Sequence, residues 1–393
     1  MNNKLIDRTM SSSINGLFRY LPVITLTGPR QSGKTTLCRK MFSSLPYVNL
    51  EDASTLAEVR LDPKTFIAKY PEGVIIDEAQ NFPEIFSYLQ VAVDEDRISG
   101  GERRFIVTGS NNFSLMQRIT QSMAGRTAVM SLLPLSTEEI RSVYPNVKTS
   151  ELLLCGGYPA IWANGIESRQ ILLSNYYTTY IERDVRSLIN LKDLQAFQMF
   201  IRLAAGRIGQ EFNASSLSVE VGVSAPTIKN WLSILSASYV VYTLQPYYAN
   251  IGKQLTKSPK LYFYDTGLAS FLLGINTIEQ MDLHPLRGNL FENMVVNDML
   301  KHGVNKGCPE NLFFYRDKSQ HEVDVLRLMP DNSLEAYEIK AGMTFDPDYF
   351  KHLRYLKSLL GDKIARTTVL YDGNQENPQP TDGYCNFRNI TLD

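Results

Sequence analysis

The sequence is poor in the residues that build metal, redox and disulfide sites. Its 393 residues include only four cysteines and four histidines. The histidines form no HxxxH or HExxH pattern, and the cysteines lie too far apart for a CxxC motif. We therefore expect reduced, mostly buried thiols and no metal or redox motif built on them. The four cysteines are Cys38, Cys155, Cys308 and Cys385.

The chain also has no excess of charge of either sign. It contains 40 Lys and Arg residues and 41 Asp and Glu residues, which gives a formal net charge of −1. This balance excludes a globally basic nucleic-acid coat and an acidic disordered tail, but not a local basic face. No run approaches the ~18 consecutive apolar residues of a membrane span, and residues 1–10 contain no apolar signal-peptide core. We expect a cytoplasmic protein that does not enter the membrane.

What the chain does have is an ordinary globular composition, with 44% hydrophobic and 21% charged residues. At ~150 residues per domain, its length suggests two or three domains, each large enough to bury a core.

A phosphate-binding motif lies near the N-terminus. The apolar segment Val23 to Leu26 leads into GPRQSGKT, a GxxxxGK[ST] pattern, and a helical segment follows from Thr35. A P-loop requires this order of strand, loop and helix, because its glycines let backbone N–H groups surround phosphates at a helix N-terminus. We expect Lys34 to reach the β- and γ-phosphates of ATP and the Thr35 hydroxyl to ligate Mg²⁺. The predicted nucleotide-binding residues of the loop are Gly28, Pro29, Arg30, Gln31, Ser32, Gly33, Lys34, Thr35 and Thr36.

A second motif, GVIIDEAQ at residues 73–80, places two carboxylates after a β-branched run. A buried parallel strand ends in this way when it delivers acids to the carboxyl edge of a sheet. We expect Asp77 to bind Mg²⁺ through its water shell and Glu78 to polarise the attacking water. A strand followed by a solvated acidic turn is the alternative.

Further segments complete a family pattern. FIVTGSNN spans 105–112 and AGRTAVMSLLPLS spans 124–136, with GGYP at 156–159 and YIERDV at 180–185. Together with the two motifs above, they resemble the prokaryotic AAA-type P-loop ATPases that carry a C-terminal domain with a restriction-endonuclease-like core. The resemblance covers essentially the whole chain and implies ATP binding and hydrolysis with Mg²⁺.

This resemblance implies further nucleotide-site residues. In AAA-type ATPases a polar residue after the third strand senses the γ-phosphate, and Ser110 or Asn111 has this position. Asn111 and Asn112 stand where small hydroxyl residues are more usual. The choice of sensor between Ser110 and Asn111 therefore stays open. Arg126 is a candidate for stabilising charge, in cis or in trans within a homo-oligomer, as is Arg183 of the YIERDV motif. An ordinary surface arginine is the alternative for Arg126.

The pattern along the chain predicts an α/β protein of four parts. Residues 1–150 are the P-loop AAA-type ATPase, 151–206 a helical lid or connector, 207–275 a winged-helix domain, and 285–393 a PD-(D/E)XK nuclease-like domain. Within the third part, Asn213 and Ser224 are predicted N-caps of two helices separated by a turn at Gly222.

Two uses of this winged helix remain open. Thr227, Lys229 and Asn230 would face a DNA major groove, with Lys253, Lys257 and Lys260 of a polar loop on phosphates. The second helix, however, has one basic residue and no arginine that could bind guanine through two hydrogen bonds. The alternative is a module that only packs against the ATPase.

The C-terminal part contains a D…ExK pattern after an amphipathic helix at 288–300. Glu338 and Lys340 are two residues apart and so share one face of a strand. In a hairpin across residues 330–332, Asp324 would lie opposite Glu338, with Cβ atoms ~5 Å apart. Asp324 and Glu338 would then bind a divalent metal, with Glu292 from the helix completing the shell and Lys340 steadying a hydroxide or a phosphate.

This geometry predicts metal-assisted phosphodiester hydrolysis, and the chain as a whole is interpreted as an ATP-controlled enzyme that acts on DNA. The geometry depends on the hairpin register, because a slip of one residue would separate the two carboxylates. Charged residues on the open face of a sheet are the structural alternative. The alternative function is a nucleotide-controlled scaffold whose C-terminal domain binds protein or nucleic acid without cleaving it.

Overall fold

The computed structural model describes residues 5–110, 118–119, 121–180, 194–247 and 258–392. The predicted roles of Asn111, Arg183, Lys253 and Lys257 fall outside these residues.

The N-terminal part is built on a parallel sheet with strand order β2-β3-β4-β1-β5. Strands β1 and β3 are buried at every residue, as their apolar, β-branched sequences predict for strands covered on both faces. The parallel α/β sheet predicted for this part is confirmed. Its strands are β1 (Val23–Thr27), β2 (Tyr47–Asn49), β3 (Gly73–Asp77), β4 (Arg104–Thr108) and β5 (Thr127–Ser131).

Helices cover both faces of this sheet. Helices α1 and α2 share a core with one face, and α3, α4 and α5 share a core with the other. Because all five strands run in the same direction, the loops after β1, β3 and β4 meet at one edge. The helices are α1 (Met10–Leu17), α2 (Lys34–Met41), α3 (Ala53–Leu61), α4 (Pro63–Ala68) and α5 (Ile85–Ser99).

A helical region follows, and the described residues of 151–206 contain no strand, as predicted. Its helices are α6 (Thr137–Val143), α7 (Thr149–Cys155), α8 (Pro159–Asn164), α9 (Arg169–Tyr176) and α10 (Leu194–Ala205).

The two predicted helices with their caps are present as α11 (Ala214–Val221) and α12 (Ala225–Ala237). The side chains of Asn213 and Ser224 accept hydrogen bonds from backbone N–H groups of the first turns, and Gly222 ends α11 with a φ of 77°. The indole of Trp231 packs against Phe197 and Phe200 of α10, with ring centroids 5.5 and 5.6 Å apart. Helix α12 therefore packs on the helical region.

The C-terminal part is built on a seven-stranded sheet of order β12-β11-β10-β9-β8-β6-β7. Its strands are β6 (Val241–Pro246), β7 (Lys260–Phe263), β8 (Leu312–Arg316), β9 (Glu322–Leu328), β10 (Leu334–Lys340), β11 (Ile364–Tyr371) and β12 (Gly383–Asn386). Its helices are α13 (Thr266–Leu272), α14 (Ile278–Leu283), α15 (Arg287–Lys306) and α16 (Lys351–Leu360). The amphipathic helix predicted at 288–300 is part of α15.

This sheet crosses the predicted boundary between 207–275 and 285–393. Strands β6 and β7 pair with each other, as the wing strands of a winged helix would, but β6 also pairs with β8. They therefore extend the C-terminal sheet. The expected place of Lys260 in a polar loop is also wrong, because it begins β7 and is 1% exposed.

Across the described ranges, each helix is too short or too polar to cross a lipid bilayer.

Candidate functional site

The loop between β1 and α2 is held close to β5. A Cβ atom on Gly28 would lie 2.4 Å from the carbonyl oxygen of Leu132, so only glycine fits there. Gly33, immediately before α2, has a φ of 94°, which favours glycine. The predicted glycines thus have the structural role that a tight turn around phosphates requires.

The Lys34 side chain lies inside this loop. Its Nζ donates to the carbonyl oxygens of Gly28 and Pro29, at 3.1 and 2.8 Å. Burial lowers the pKa of Lys34 to about 8, although Glu78 and Asp77 oppose the change. Desolvation lowers the pKa of an ammonium that lacks enough negative charge around it, so this site favours an anionic ligand.

The Asp77 carboxylate ends β3 beside the loop. Its Oδ2 accepts hydrogen bonds from the hydroxyls of Thr35, at 2.7 Å, and Tyr47, at 2.8 Å. Its Oδ1 accepts from the hydroxyl of Thr108, at the end of β4. The sequence indicated Thr35 and Asp77 but not Tyr47 or Thr108, and the position of Thr108 at the end of a parallel strand was a usable signal.

Glu78 follows in a left-handed backbone conformation, with a φ of 56°. A non-glycine residue with this φ is uncommon and often found at functional sites. The Glu78 side chain lines a cavity of about 870 Å³ beside the loop and accepts a hydrogen bond from Gln80. The predicted loop residues that line this cavity are Arg30, Gln31, Ser32, Gly33, Lys34, Thr35 and Thr36.

The residues at this cavity fit a magnesium–nucleotide complex. Mg²⁺ prefers oxygen ligands and usually binds through few protein groups together with phosphates and water. The Thr35 hydroxyl and the Asp77 carboxylate supply two adjacent oxygens, and Lys34 supplies a cation for phosphate. Ser32 adds a buried hydroxyl with no hydrogen-bond partner among the described residues.

Ser110 lies two residues beyond the end of β4, at the same edge of the sheet as the P-loop. It is half-buried. Its sensor role stays a prediction, as does that of Asn111.

Arg126 does not lie at this edge. It immediately precedes β5, and β5 runs parallel to β1, so Arg126 is near Val23 at the opposite edge from the loop. Its guanidinium is also bound to Asp94 through two hydrogen bonds of 2.8 and 2.9 Å. This position is incompatible with the predicted role in cis, and the role in trans stays a prediction.

Arg8 was missed in the sequence. Its buried guanidinium donates to the carbonyl oxygen of Ser32 in the loop at 2.8 Å, to that of Leu133 at 2.6 Å, and to Glu139 at 3.1 Å. No local spacing indicates these contacts, because Arg8 is 24 residues from Ser32 and 131 from Glu139.

The predicted hairpin register in the C-terminal sheet is confirmed. Strands β9 and β10 are antiparallel, and Tyr337 pairs with Val325. The side chain of Asp324 accepts a hydrogen bond from the backbone N–H of Ile339 at 2.8 Å. Lys340 and Glu338 share a face, with Nζ and Oε1 2.6 Å apart.

Glu292 of α15 lies at the same place, but the group that joins it to Asp324 is a lysine. The Nζ of Lys260 is 3.0 Å from Glu292 Oε1, 2.5 Å from Glu322 Oε1 and 3.8 Å from Asp324 Oδ1. Glu322, which was not predicted as a site residue, is half-buried and paired with Lys260. The ring of His321 stacks on that of Tyr355 at 3.7 Å.

The four acidic residues Glu292, Glu322, Asp324 and Glu338 are called the acidic cluster below. Burial and the neighbouring Asp324 raise the pKa of Glu338. Burial also raises the pKa of Glu292, while Lys260 opposes the change.

These residues do not fit the predicted metal centre. Among the described residues, no three His, Cys, Asp or Glu side chains are grouped so that they could hold a metal ion. The metal roles predicted for Glu292, Asp324 and Glu338 thus have no support in the geometry. The physical reason is that an ammonium group takes the central position.

Sequence comparisons place the chain in a family. Uncharacterized protein Rv2008c of Mycobacterium tuberculosis is 30% identical over 373 residues, which are 94% of this chain and 81% of that protein. Uncharacterized protein Mb2031c of Mycobacterium bovis matches with the same values. The chain belongs to their family. An uncharacterized protein of Haemophilus influenzae is 22% identical over 384 residues, or 88% of this chain and 90% of that protein.

Three family models match successive parts of this family member. Residues 21–141 match an AAA domain, 146–279 match a domain of unknown function (DUF8612), and 287–389 match a domain of unknown function (DUF4143). The N-terminal part is therefore a P-loop domain of the AAA ATPase type, which implies nucleotide binding. The description of the third match names no activity, so a nuclease-like domain stays a prediction.

Solved structures were also compared. The Walker-type ATPase PABY2304 of Pyrococcus abyssi is 14% identical with a TM-score of 0.43, over 69% of this chain and 97% of that chain. The RuvB Holliday junction branch migration motor of Thermotoga maritima is 17% identical with a TM-score of 0.31, over 59% of this chain and 86% of that chain. Both TM-scores are below 0.5, so neither structure bears on what this family member does.

Proposed function

We propose that the chain binds and hydrolyses ATP with Mg²⁺ at the cavity beside the P-loop. The observation that carries this proposal is the placement of the Lys34 ammonium and the adjacent Thr35 and Asp77 oxygens around one loop. Lys34 would bind the β- and γ-phosphates, while Thr35 and Asp77 would hold Mg²⁺ and its water shell. Bound Mg²⁺ would neutralise charge that develops on the phosphates.

Glu78 is the proposed residue that orients and polarises the attacking water. Its side chain reaches the same cavity, and no other described carboxylate in that cavity follows a sheet strand directly. Ser110 or Asn111 would sense the γ-phosphate.

Substitution of Glu78 by Gln tests this proposal. We expect turnover to fall by roughly 100-fold or more, because general-base assistance is lost, while ATP binding is retained. Glu51→Gln is the matched control, since Glu51 lines the same cavity but follows β2 by two residues. Full turnover in Glu78→Gln, or equal losses in both variants, would contradict the assignment.

We further propose that ATP controls the C-terminal domain through helix α15. Near its C-terminal end, Asn305 donates to Thr9 at 2.7 Å and Lys301 donates to the carbonyl oxygen of Leu135 at 2.9 Å. Thr9 adjoins Arg8, which contacts the P-loop. Glu292 of the acidic cluster lies on the same helix, ~20 Å away from Asn305 at 1.5 Å per residue. One rigid element thus contacts both sites.

Two functions of the C-terminal domain are supported by different observations. The closeness of Asp324, Glu338 and Lys340 on the paired strands β9 and β10 supports a nuclease-like domain that acts on DNA. The central position of Lys260 supports the second candidate, a nucleotide-controlled scaffold that binds protein or nucleic acid without cleaving it. The contacts of Lys260 favour the scaffold, since its ammonium already neutralises carboxylates that would hold the metal for cleavage.

A cleavage assay separates the two. Labelled single- and double-stranded DNA would be incubated with Mg²⁺ or Mn²⁺, with and without ATP, using wild type and an Asp324→Ala/Lys340→Ala double variant. We expect no cleavage by either protein while ATP hydrolysis continues. Cleavage by the wild type that the double variant lacks would establish the nuclease and show whether ATP gates it.

A further inference from the structure

The acidic cluster surrounds the ammonium group of Lys260. This side chain is 2% exposed, and it contacts carboxylate oxygens of Glu292, Glu322 and Asp324 at the distances given above. The three carboxylates come from helix α15 and strand β9, while Lys260 comes from β7 at the far edge of the sheet. The ammonium thus joins three separate elements.

Backbone pairing fixes the residue that carries this ammonium. Lys260 pairs with Leu244 in β6 and forms an isolated bridge with Glu211. Its Nζ also lies 5.5 Å from the centre of the Phe314 ring. Because a buried charge cannot leave its counter-ions without a large desolvation cost, Lys260 is held at the centre of the cluster.

The remaining oxygens of the expected metal pair are also occupied, with one exception. Asp324 Oδ2 accepts from Ile339 N and lies 4.0 Å from Lys340 Nζ, and Glu338 Oε1 accepts from Lys340. The exception is Glu338 Oε2, which is buried and has no hydrogen-bond partner among the described residues. Glu338 is 4% exposed. One unpartnered oxygen is what a missing ligand would leave.

We propose that Lys260 is an internal counter-ion standing in place of a divalent cation, and that its removal opens a latent divalent-cation site. The ligands of that site are the carboxylates that contact the ammonium, Glu292, Glu322 and Asp324, together with the unpartnered oxygen of Glu338. A divalent ion beside the ammonium would be repelled at close range in a desolvated site, so the intact protein excludes it. This inference deepens the scaffold candidate of the proposed function, on which it rests, and it is independent of ATP hydrolysis.

Manganese binding to the full-length, nucleotide-free protein tests the proposal. Free and bound Mn²⁺ are distinguished by electron paramagnetic resonance in titrations of wild type, Lys260→Met and Lys260→Met/Asp324→Asn. We expect Lys260→Met to bind one additional Mn²⁺, at least about tenfold more tightly than the wild type binds at this place. The additional binding should be lost in the double variant. Binding at the P-loop is common to all proteins and cancels in the comparison.

Two lysine variants serve as controls. Lys318→Met removes an exposed ammonium from the turn before β9 and should bind Mn²⁺ as the wild type does. Lys260→Arg keeps the positive charge and should also gain no Mn²⁺. A gain in Lys318→Met would mean that net charge alone is responsible.

Several results would overturn the proposal. One is wild-type Mn²⁺ binding that Asp324→Asn abolishes, because the ammonium would then not exclude the ion. Another is Lys260→Met binding no more Mn²⁺ than the wild type. If Lys260→Met does not fold alone, Mn²⁺ should restore its thermal transition by mass action, and no restoration counts against the proposal. ATP hydrolysis by the same proteins is measured separately, since its absence would concern the proposed nucleotide site only.

Discussion

Two buried lysines, Lys34 in the P-loop and Lys260 in the acidic cluster, have opposite electrostatic environments. Lys34 is 7% exposed and donates to carbonyl oxygens, and burial lowers its pKa to about 8. Lys260 is 1% exposed, and although burial alone would lower its pKa, the carboxylates led by Glu292 raise that pKa well above the usual range. The first ammonium has too little negative charge around it to offset its burial, whereas the second is already neutralised.

The P-loop is therefore suited to bind a ligand, whereas the acidic cluster already contains its counter-ion. A buried cation without enough counter-charge is stabilised when an anion such as phosphate binds. A buried cation among carboxylates gains nothing further from an anion and excludes a second cation. A buried lysine thus indicates ligand binding in the P-loop and structural stabilisation in the acidic cluster.

The largest expected difference between the two lysines is in their contribution to stability. Lys260→Met should lower the free energy of unfolding by about 3–5 kcal/mol, because it leaves buried carboxylates without their counter-ion. Lys34→Met should change it by no more than about 1 kcal/mol, since it removes two hydrogen bonds but also a desolvated charge. Urea unfolding of the nucleotide-free proteins measures both. Equal losses would show that the two lysines do not differ in the way described.

The next effect is on nucleotide affinity. Lys34→Ala should weaken ATP binding roughly 100-fold, because charge-assisted contacts to phosphate are lost. Lys40→Ala is the matched control, since Lys40 lines the same cavity but is exposed and paired with Asp7. Titration with a fluorescent ATP analogue gives both affinities. Wild-type affinity in Lys34→Ala would contradict the phosphate-loop assignment.

Local spacing predicted the parts of both sites that lie within one segment. The P-loop is a single stretch between β1 and α2, and the hairpin places Asp324 and Glu338 equally far from residue 331, so their register follows from the chain itself. The position of Arg126 could also have been predicted from the sequence, because a residue at the start of a parallel strand lies at the edge opposite the P-loop. The role in cis was assigned to Arg126 without regard to the direction of its strand, and the role in trans stays a prediction.

Contacts between distant segments were not predictable in this way. Lys260 reaches the acidic cluster from a strand at the far edge of the sheet, and its own sequence, KLYF, indicates only a buried strand. Arg8 likewise reaches Ser32 and Glu139 through the fold. No role was predicted for Arg8, and Lys260 was wrongly placed in a polar loop, because only the packing of separate elements gives these cations their partners.

The smallest predicted effect concerns helix α15 and its proposed connection between the nucleotide site and the acidic cluster. Asn305 is buried and donates to Thr9, beside the arginine that contacts the P-loop. Asn305→Ala removes this link without touching either site, and we expect it to reduce the coupling by about 1 kcal/mol. Hydrogen exchange of α15, measured with and without a non-hydrolysable ATP analogue, reports the coupling.

In the wild type the analogue should slow exchange in α15, and in Asn305→Ala this slowing should shrink while the affinity for the analogue stays the same. Asn164→Ala is the control, because Asn164 is exposed and its side chain donates to Ala160 within α8. Undiminished slowing in Asn305→Ala would mean that α15 is not connected to the nucleotide site through Thr9. Coupling would then have to pass through other contacts of α15, such as Lys301 with Leu135, Asp298 with the backbone N–H of Thr137 at 3.0 Å, and the packing of α15 on α1 and β5.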